Sequence, residues 1–290
     1  MMVLAGSTSI DLAKDLAEKI RANYSSIDVK IFPDGESYIR IPEITDDHVI
    51  LVSSLYYPQD THLFQILNSI ATLKRIGVSR VTLVTPYLCY ARSDRDILGQ
   101  EAISILTVFK LLESVGVDHL ITFDIHNPEV FKETSMKTTN IIPAKSLANF
   151  LIHHDIDISK LQVVAPDKGA SERAKIIAEE IGVEWTTLSK TRDPRTGEIS
   201  MVIGDADIKS TEILLVDDLT STGSSLIRAS NILRVYGAKN IHIFITHLMN
   251  PQIIEKIQEV CNGILVSTNS IPSLISNLSP VEDIIGALSE

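Results

Sequence analysis

Short runs of Val, Ile and Leu alternate with longer amphipathic stretches along almost the whole chain. This alternation restricts the fold more than any single motif. Segments 2–5, 49–53, 80–85, 119–123, 163–165, 213–216, 241–246 and 264–266 are near-continuous apolar runs, as expected of strands buried on both faces of a parallel sheet. Segments 10–22, 61–76, 101–115, 144–153, 171–181, 225–236 and 251–260 read as helices, and several stop at a glycine. Strand and helix in turn predict α/β layers. Residues 29–42 break the pattern: Pro33-Asp34-Gly35-Glu36 between two apolar segments reads as a β-hairpin projecting from the layers. Strands are also expected at 185–189 and 199–203. The layout of 73–84 (helix end, Gly, strand) returns at 233–244, which predicts two similar halves with a boundary near 138–143.

Residues 214–225, Leu-Leu-Val-Asp-Asp-Leu-Thr-Ser-Thr-Gly-Ser-Ser, carry the most chemistry. An apolar strand leads into Asp217 and Asp218. Ser221, Thr222, Gly223, Ser224 and Ser225 follow, and a helix starts near Leu226. Backbone N–H groups and the positive end of a helix then face one anion, and Gly223 allows the tight turn and close approach. The two carboxylates would repel a phosphate but suit neighbouring hydroxyls, as on a ribose. The loop therefore reads as a sugar-phosphate cradle, against the plainer reading of a βα turn with a hydroxyl cap.

The 290 residues carry 37 acidic against 26 basic side chains, a net charge of −11, which argues against nucleic acid as the main partner. Cys89 and Cys261 are read as buried thiols in a reducing compartment. No apolar run is long enough to span a bilayer, and the first residues lack a basic, signal-like segment. The expectation is a cytoplasmic protein without a membrane partner.

Further segments sit where open α/β sheets place their sites, at the C-terminal ends of strands. They are 86–95, with Arg92, Ser93, Asp94 and Arg95; Asp124-Ile125-His126; and Ala165-Pro166-Asp167-Lys168-Gly169-Ala170. Lys190-Thr191-Arg192, followed by 193–198, is a cationic loop between two strands. The 214–225 stretch resembles the phosphoribosyl-diphosphate (PRPP) binding motif of phosphoribosyltransferases. With the hairpin and these segments in this order, the chain from about residue 2 to 270 resembles the ribose-phosphate pyrophosphokinase (PRPP synthetase) family.

That resemblance implies two tandem phosphoribosyltransferase-like, Rossmann-like domains with mainly parallel sheets. The expected division is 1–141 with the hairpin, 142–272 with the phosphate loop, and 273–290 as a C-terminal helix packing back on the first domain. It implies an Mg²⁺-dependent enzyme that moves the β,γ-diphosphoryl group of ATP to the C1 hydroxyl of ribose 5-phosphate. Lys190 and Arg192 would be the catalytic pair, Arg192 also touching the sugar phosphate. Phe32, Asp34, Gly35 and Glu36 on the hairpin, with Arg92 and Ser93, would bind ATP. Asp217, Asp218 and Ser221 to Ser225 would bind ribose 5-phosphate, and His126 and Asp167 would be associated with Mg²⁺. A homo-oligomer, at least a dimer, is implied because the family's hairpin reaches a neighbouring subunit's site. The chain departs from the family at Ser93, where Gln is common, and at Asn127-Pro128-Glu129-Val130-Phe131, where the family has a segment with Gln and Phe-Phe. Two other readings share the phosphate loop: a transferase that consumes PRPP, and a non-catalytic regulatory homologue.

Overall fold

The structure is a computed structural model that describes residues 1–192, 199–202 and 208–289, with backbone alone at 189–192 and 199–202. It divides into two compact units, residues 1–141 together with the chain from Ile284 onward, and residues 142–283.

The first unit runs β1 (Met2–Ala5), α1 (Ile10–Ile20), β2 (Asn23–Ser26), β3 (Asp28–Ile31), β4 (Ser37–Arg40), β5 (His48–Val52), α2 (Gln59–Arg75), β6 (Arg80–Thr85), α3 (Ser104–Val115), β7 (His119–Phe123) and β8 (Lys137–Ile141). Six strands form one parallel sheet in the order β2-β1-β5-β6-β7-β8. The central strands are the apolar runs, and Val3, Leu4, Ile50, Leu51, Leu83 and Leu120 are fully buried. The two edge strands have no counterpart in the sequence expectation. Asn23–Ser26 and Lys137–Ile141 are polar and mostly outside the core. An edge strand has one neighbour and one open side, so hydrophobic patterning does not mark it. β3 and β4 pair antiparallel as the expected hairpin, Asp28 opposite Arg40 and Ile31 opposite Ser37.

The second unit runs α4 (Ala144–His153), β9 (Leu161–Ala165), α5 (Ser171–Ile181), β10 (Trp185–Thr187), β11 (Ser189–Arg192), β12 (Ile199–Val202), β13 (Glu212–Thr220), α6 (Ser224–Val235), β14 (Asn240–Leu248), α7 (Ile254–Gln258), β15 (Leu265–Ser267) and the start of α8 (Val281–Ser289). Its parallel sheet has the order β10-β9-β13-β14-β15, and β11 and β12 form a separate antiparallel pair. Alternate residues of β13 enter opposite cores. Leu214 and Val216 pack with Leu147, Ala174 and Ile177 of α4 and α5, while Ile213 and Leu215 pack with Leu226, Leu233 and Ile257 of α6 and α7.

Several boundaries differ from expectation, among them the C-terminal helix expected over 273–290, which is α8 at Val281–Ser289, with the residues before Ile284 belonging to the second unit. The strand expected to stop at Val216 continues to Thr220, because β14 is long enough to pair with it out to Leu248; aspartates disfavour strand but are overridden by that ladder. The helix expected from Glu101 starts at Ser104, since Glu101 spends its carboxylate on the N–H groups of Ile97 and Leu98. The strand expected over 185–189 ends at Thr187, and a separate one begins at Ser189. The helix expected over 251–260 is a 3₁₀ turn, Pro251–Ile253, followed by α7. No helix is long and apolar enough to cross a membrane, among the described residues.

Candidate active site

In the second unit the site grows from the end of β13. Asp217 and Asp218 are consecutive strand residues, so their side chains leave on opposite faces. Asp218 is buried, 8 % exposed, with its carboxylate 3.7 Å from the Arg173 guanidinium of α5, itself 7 % exposed. Its N–H donates to Asp217 Oδ1 at 3.1 Å. Burial pushes the Asp217 carboxyl well above the usual carboxylate range. The charge of Asp218 adds to this, Arg173 opposes it, and Asp167 raises it further. This environment favours the neutral carboxyl unless a cation is near it.

Past Thr220 the chain turns through Ser221 and Thr222 to Gly223, which has φ 73° and is the N-cap residue of α6. A Cβ there would lie 3.1 Å from Ile257 Cγ1, so both the backbone angle and the space call for glycine. The Gly223 N–H donates to Thr220 Oγ1 at 3.0 Å, and the hydroxyls of Thr222 and Ser224 sit 3.1 Å apart. Gly223 has no side chain to cap the helix, and Thr222 Oγ1 accepts the Ser224 N–H at 3.4 Å. The next N–H groups, with the exposed Ser221, Thr222 and Ser224, face an anion site at the positive end of the helix dipole.

Asp167 follows β9, the strand beside β13, and accepts the Gly169 N–H at 3.0 Å, which starts a 3₁₀ turn ahead of α5. Lys190 and Arg192 lie on β11, opposite Met201 and Ile199. Their side chains, and residues 193–198, lie outside the described residues.

In the first unit the hairpin tip closes through the Phe32 N–H to the Glu36 carbonyl (2.8 Å) and the Gly35 N–H to the Phe32 carbonyl (2.9 Å). Asp34 Oδ1 accepts the Glu36 N–H at 3.1 Å. Phe32 is about half exposed and meets Tyr38 edge-on, ring centroids 6.0 Å apart. A cavity of ≈ 440 Å³ separates the tip from the start of α2, lined by Gly35, Glu36, Ser37, Asp60, Thr61 and Phe64. The Tyr90 hydroxyl donates to Asp60, and so draws the loop that carries Arg92 towards the same end of α2. Arg92 is exposed. Ser93 is engaged within the loop: its hydroxyl donates to the Ala102 carbonyl at 3.0 Å and accepts the Ser104 N–H at 3.2 Å, which fixes the start of α3. His126 is exposed on the turn after β7.

The structure thus brings the hairpin and the 86–95 loop to one end of the first unit, and Asp167, Asp217, Asp218 and Ser221 to Ser225 to one end of the second. A larger hollow, ≈ 790 Å³ between Lys160, Gln162, Glu184 and Lys209, lies at the opposite ends of the strands of the second unit and holds none of these residues. Among the described residues no three His, Cys, Asp or Glu side chains are arranged to hold a metal ion. The oxygen-only set of Asp167 and Asp217 nevertheless fits Mg²⁺, which keeps several waters and is commonly bound by one or two carboxylates plus substrate phosphates. Arg173 was not among the sequence candidates. Its signal was present: it falls on the buried stripe of Ala170, Ala174, Ile177 and Ala178, where an arginine needs a buried partner.

Fold and site together define a tandem phosphoribosyltransferase-type α/β protein. A model of the N-terminal domain of ribose phosphate pyrophosphokinase matches residues 1–116, and a phosphoribosyl transferase domain model matches residues 140–271. Among curated relatives, the ribose-phosphate pyrophosphokinase of Pyrococcus abyssi is 38% identical over 276 residues, 94% of either chain. That of Pyrococcus furiosus is 36% identical, covering 99% of this chain and 100% of its own. The crystal structure of phosphoribosylpyrophosphate synthetase from Mycobacterium smegmatis superposes with a TM-score of 0.79 at 28% identity, over 93% of this chain and 89% of that one. The chain belongs to the ribose-phosphate pyrophosphokinase family.

Proposed function

We propose that the protein is a ribose-phosphate diphosphokinase: the C1 hydroxyl of ribose 5-phosphate attacks the β-phosphorus of ATP, PRPP forms and AMP leaves. The observation that carries this reading is the combination in one chain of a glycine-started helix behind Ser221–Ser225, with two carboxylates at its strand end, and a hairpin-bearing first unit. A PRPP-consuming transferase needs only the former.

In this reading Ser221 to Ser225 and the first N–H groups of α6 take the 5-phosphate. Asp217 and Asp218 take ribose hydroxyls, Asp218 held by Arg173 at its back. Phe32, Asp34, Gly35 and Glu36 receive the nucleoside, in a neighbouring copy where the protein assembles, and Arg92 meets the phosphates of ATP. Ser93 contributes by fixing its loop. Lys190 and Arg192 close on the transferring group and stabilise its developing charge, since such transfers depend on positioning and charge neutralisation. Mg²⁺ would neutralise and orient the phosphates, with Asp167 as an oxygen ligand and His126 acting through water. The protein works where ATP and ribose 5-phosphate are made, in the cytoplasm.

The test is a product assay with purified protein, ATP, Mg²⁺ and ribose 5-phosphate that separates AMP from ADP. AMP appearing in step with PRPP is expected. ADP would mean an ordinary kinase, and binding without turnover would move the reading to a regulatory homologue.

A further inference from the structure

The segment after His126 is tied to the Arg92 loop by one part-buried hydrogen bond. Asn127 Nδ2 donates to Asp94 Oδ2 at 2.8 Å. The Asp94 side chain is 2 % exposed, whereas its ion-pair partner Arg95, at 3.3 Å, is 67 % exposed. Such an exposed partner contributes little, so the buried carboxylate depends on Asn127 for its hydrogen bond. The same amide works in the other direction: Asn127 Oδ1 accepts the Glu129 N–H at 3.2 Å and starts the 3₁₀ helix Pro128–Glu133. Both contacts require one orientation of the amide. On the other side of His126, the Ile125 N–H donates to Asn140 Oδ1 of β8 at 2.9 Å. His126 therefore stands between two residues fixed to the sheet and to the Arg92 loop, and Arg92 is two residues from the buried Asp94.

We infer that Asp94 and Asn127 form a strut that holds His126 and Arg92 in a fixed relation on the nucleotide side of the first unit, and that they are positioning residues for ATP. This rests on the proposed function for the identity of the nucleotide, not for the strut.

The experiment is a donor–acceptor exchange. Asn127→Asp sets two carboxylates against each other at a buried position. The double variant Asp94→Asn with Asn127→Asp again faces one donor with one acceptor, and still offers an oxygen to the Glu129 N–H. Asn127→Asp is expected to raise KM for ATP and the calorimetric Kd for α,β-methylene ATP about tenfold or more, with KM for ribose 5-phosphate changed less than about twofold. The double variant is expected to recover most of that loss. Should Asn127→Asp not fold, Asn127→Ala is read in its place, with a loss of about threefold or more in the same two quantities. Nucleotide affinity unchanged in the single variant, no recovery in the exchange, or an equal loss for both substrates would overturn the strut. Wild-type protein that binds the analogue but makes no AMP would overturn the proposed function, while the analogue measurements still decide the strut.

Discussion

Replacing Gly223 by alanine tests the phosphate loop from two independent directions. A non-glycine residue at φ 73° costs roughly 1–2 kcal/mol in backbone energy. The added Cβ would lie 3.1 Å from Ile257 Cγ1 and 3.4 Å from Cδ1, and Ile257 is fully buried between α6 and β13, so it has little room to move. Overpacking of that kind costs about 1–3 kcal/mol. Gly223→Ala should therefore destabilise by about 2–5 kcal/mol, read from the urea midpoint, and raise KM for ribose 5-phosphate, because relief of the clash moves the first turn of α6. The two parts separate in a double-mutant cycle. In the background of Ile257→Ala, which removes both contacting carbons, only the backbone part of about 1–2 kcal/mol should remain. A cost of Gly223→Ala below about 0.5 kcal/mol, or one unchanged by Ile257→Ala, would refute the reasoning that both angle and space select glycine here.

Three further outcomes are expected, the second resting on the proposed function. Arg173→Met should cost about 3–5 kcal/mol in urea unfolding, because it removes the buried guanidinium 3.7 Å from the Asp218 carboxylate; a cost under about 1 kcal/mol would mean the pair is not a structural support. Lys190→Ala should lower kcat by about two orders of magnitude or more while KM for ribose 5-phosphate changes little, as for a group that acts on transition-state charge; equal turnover would remove it from the reaction. His119, 2 % exposed and bonded to Thr139, has its pKa lowered to about 4, by burial first and then by Lys137, Arg80 and His48. Folded protein then binds this proton less tightly than unfolded chain, so stability is full above the ordinary pKa of 6.5 and falls as pH drops towards 4. The fall is about 3 kcal/mol at one pKa unit per 1.4 kcal/mol. Wild-type minus His119→Gln urea stability, measured at pH 7 and at pH 4, should shift by that order, and parallel curves would exclude His119 as the cause.

Much of this architecture is written locally. The central strands and most helices follow from apolar runs and periodicity, because burial on both faces of a sheet leaves a mark in every residue of the strand. The hairpin follows from Pro33-Asp34-Gly35-Glu36, and the strand–loop–helix junction proposed to take the phosphate from a glycine among hydroxyl residues, a pattern that turns backbone N–H groups outward. What the chain alone could not disclose are properties of neighbours. The polar edge strands β2 and β8 exist because a sheet edge is there to receive them. β13 passes through two aspartates because β14 reaches as far. Asp218 meets Arg173 across 45 residues, and Asp94 meets Asn127 across 33. Residue type and spacing determine what a segment can do; which carboxylate is buried, which is raised in pKa and which amide supports it are set by contacts between segments distant in sequence, and only the folded chain brings those together.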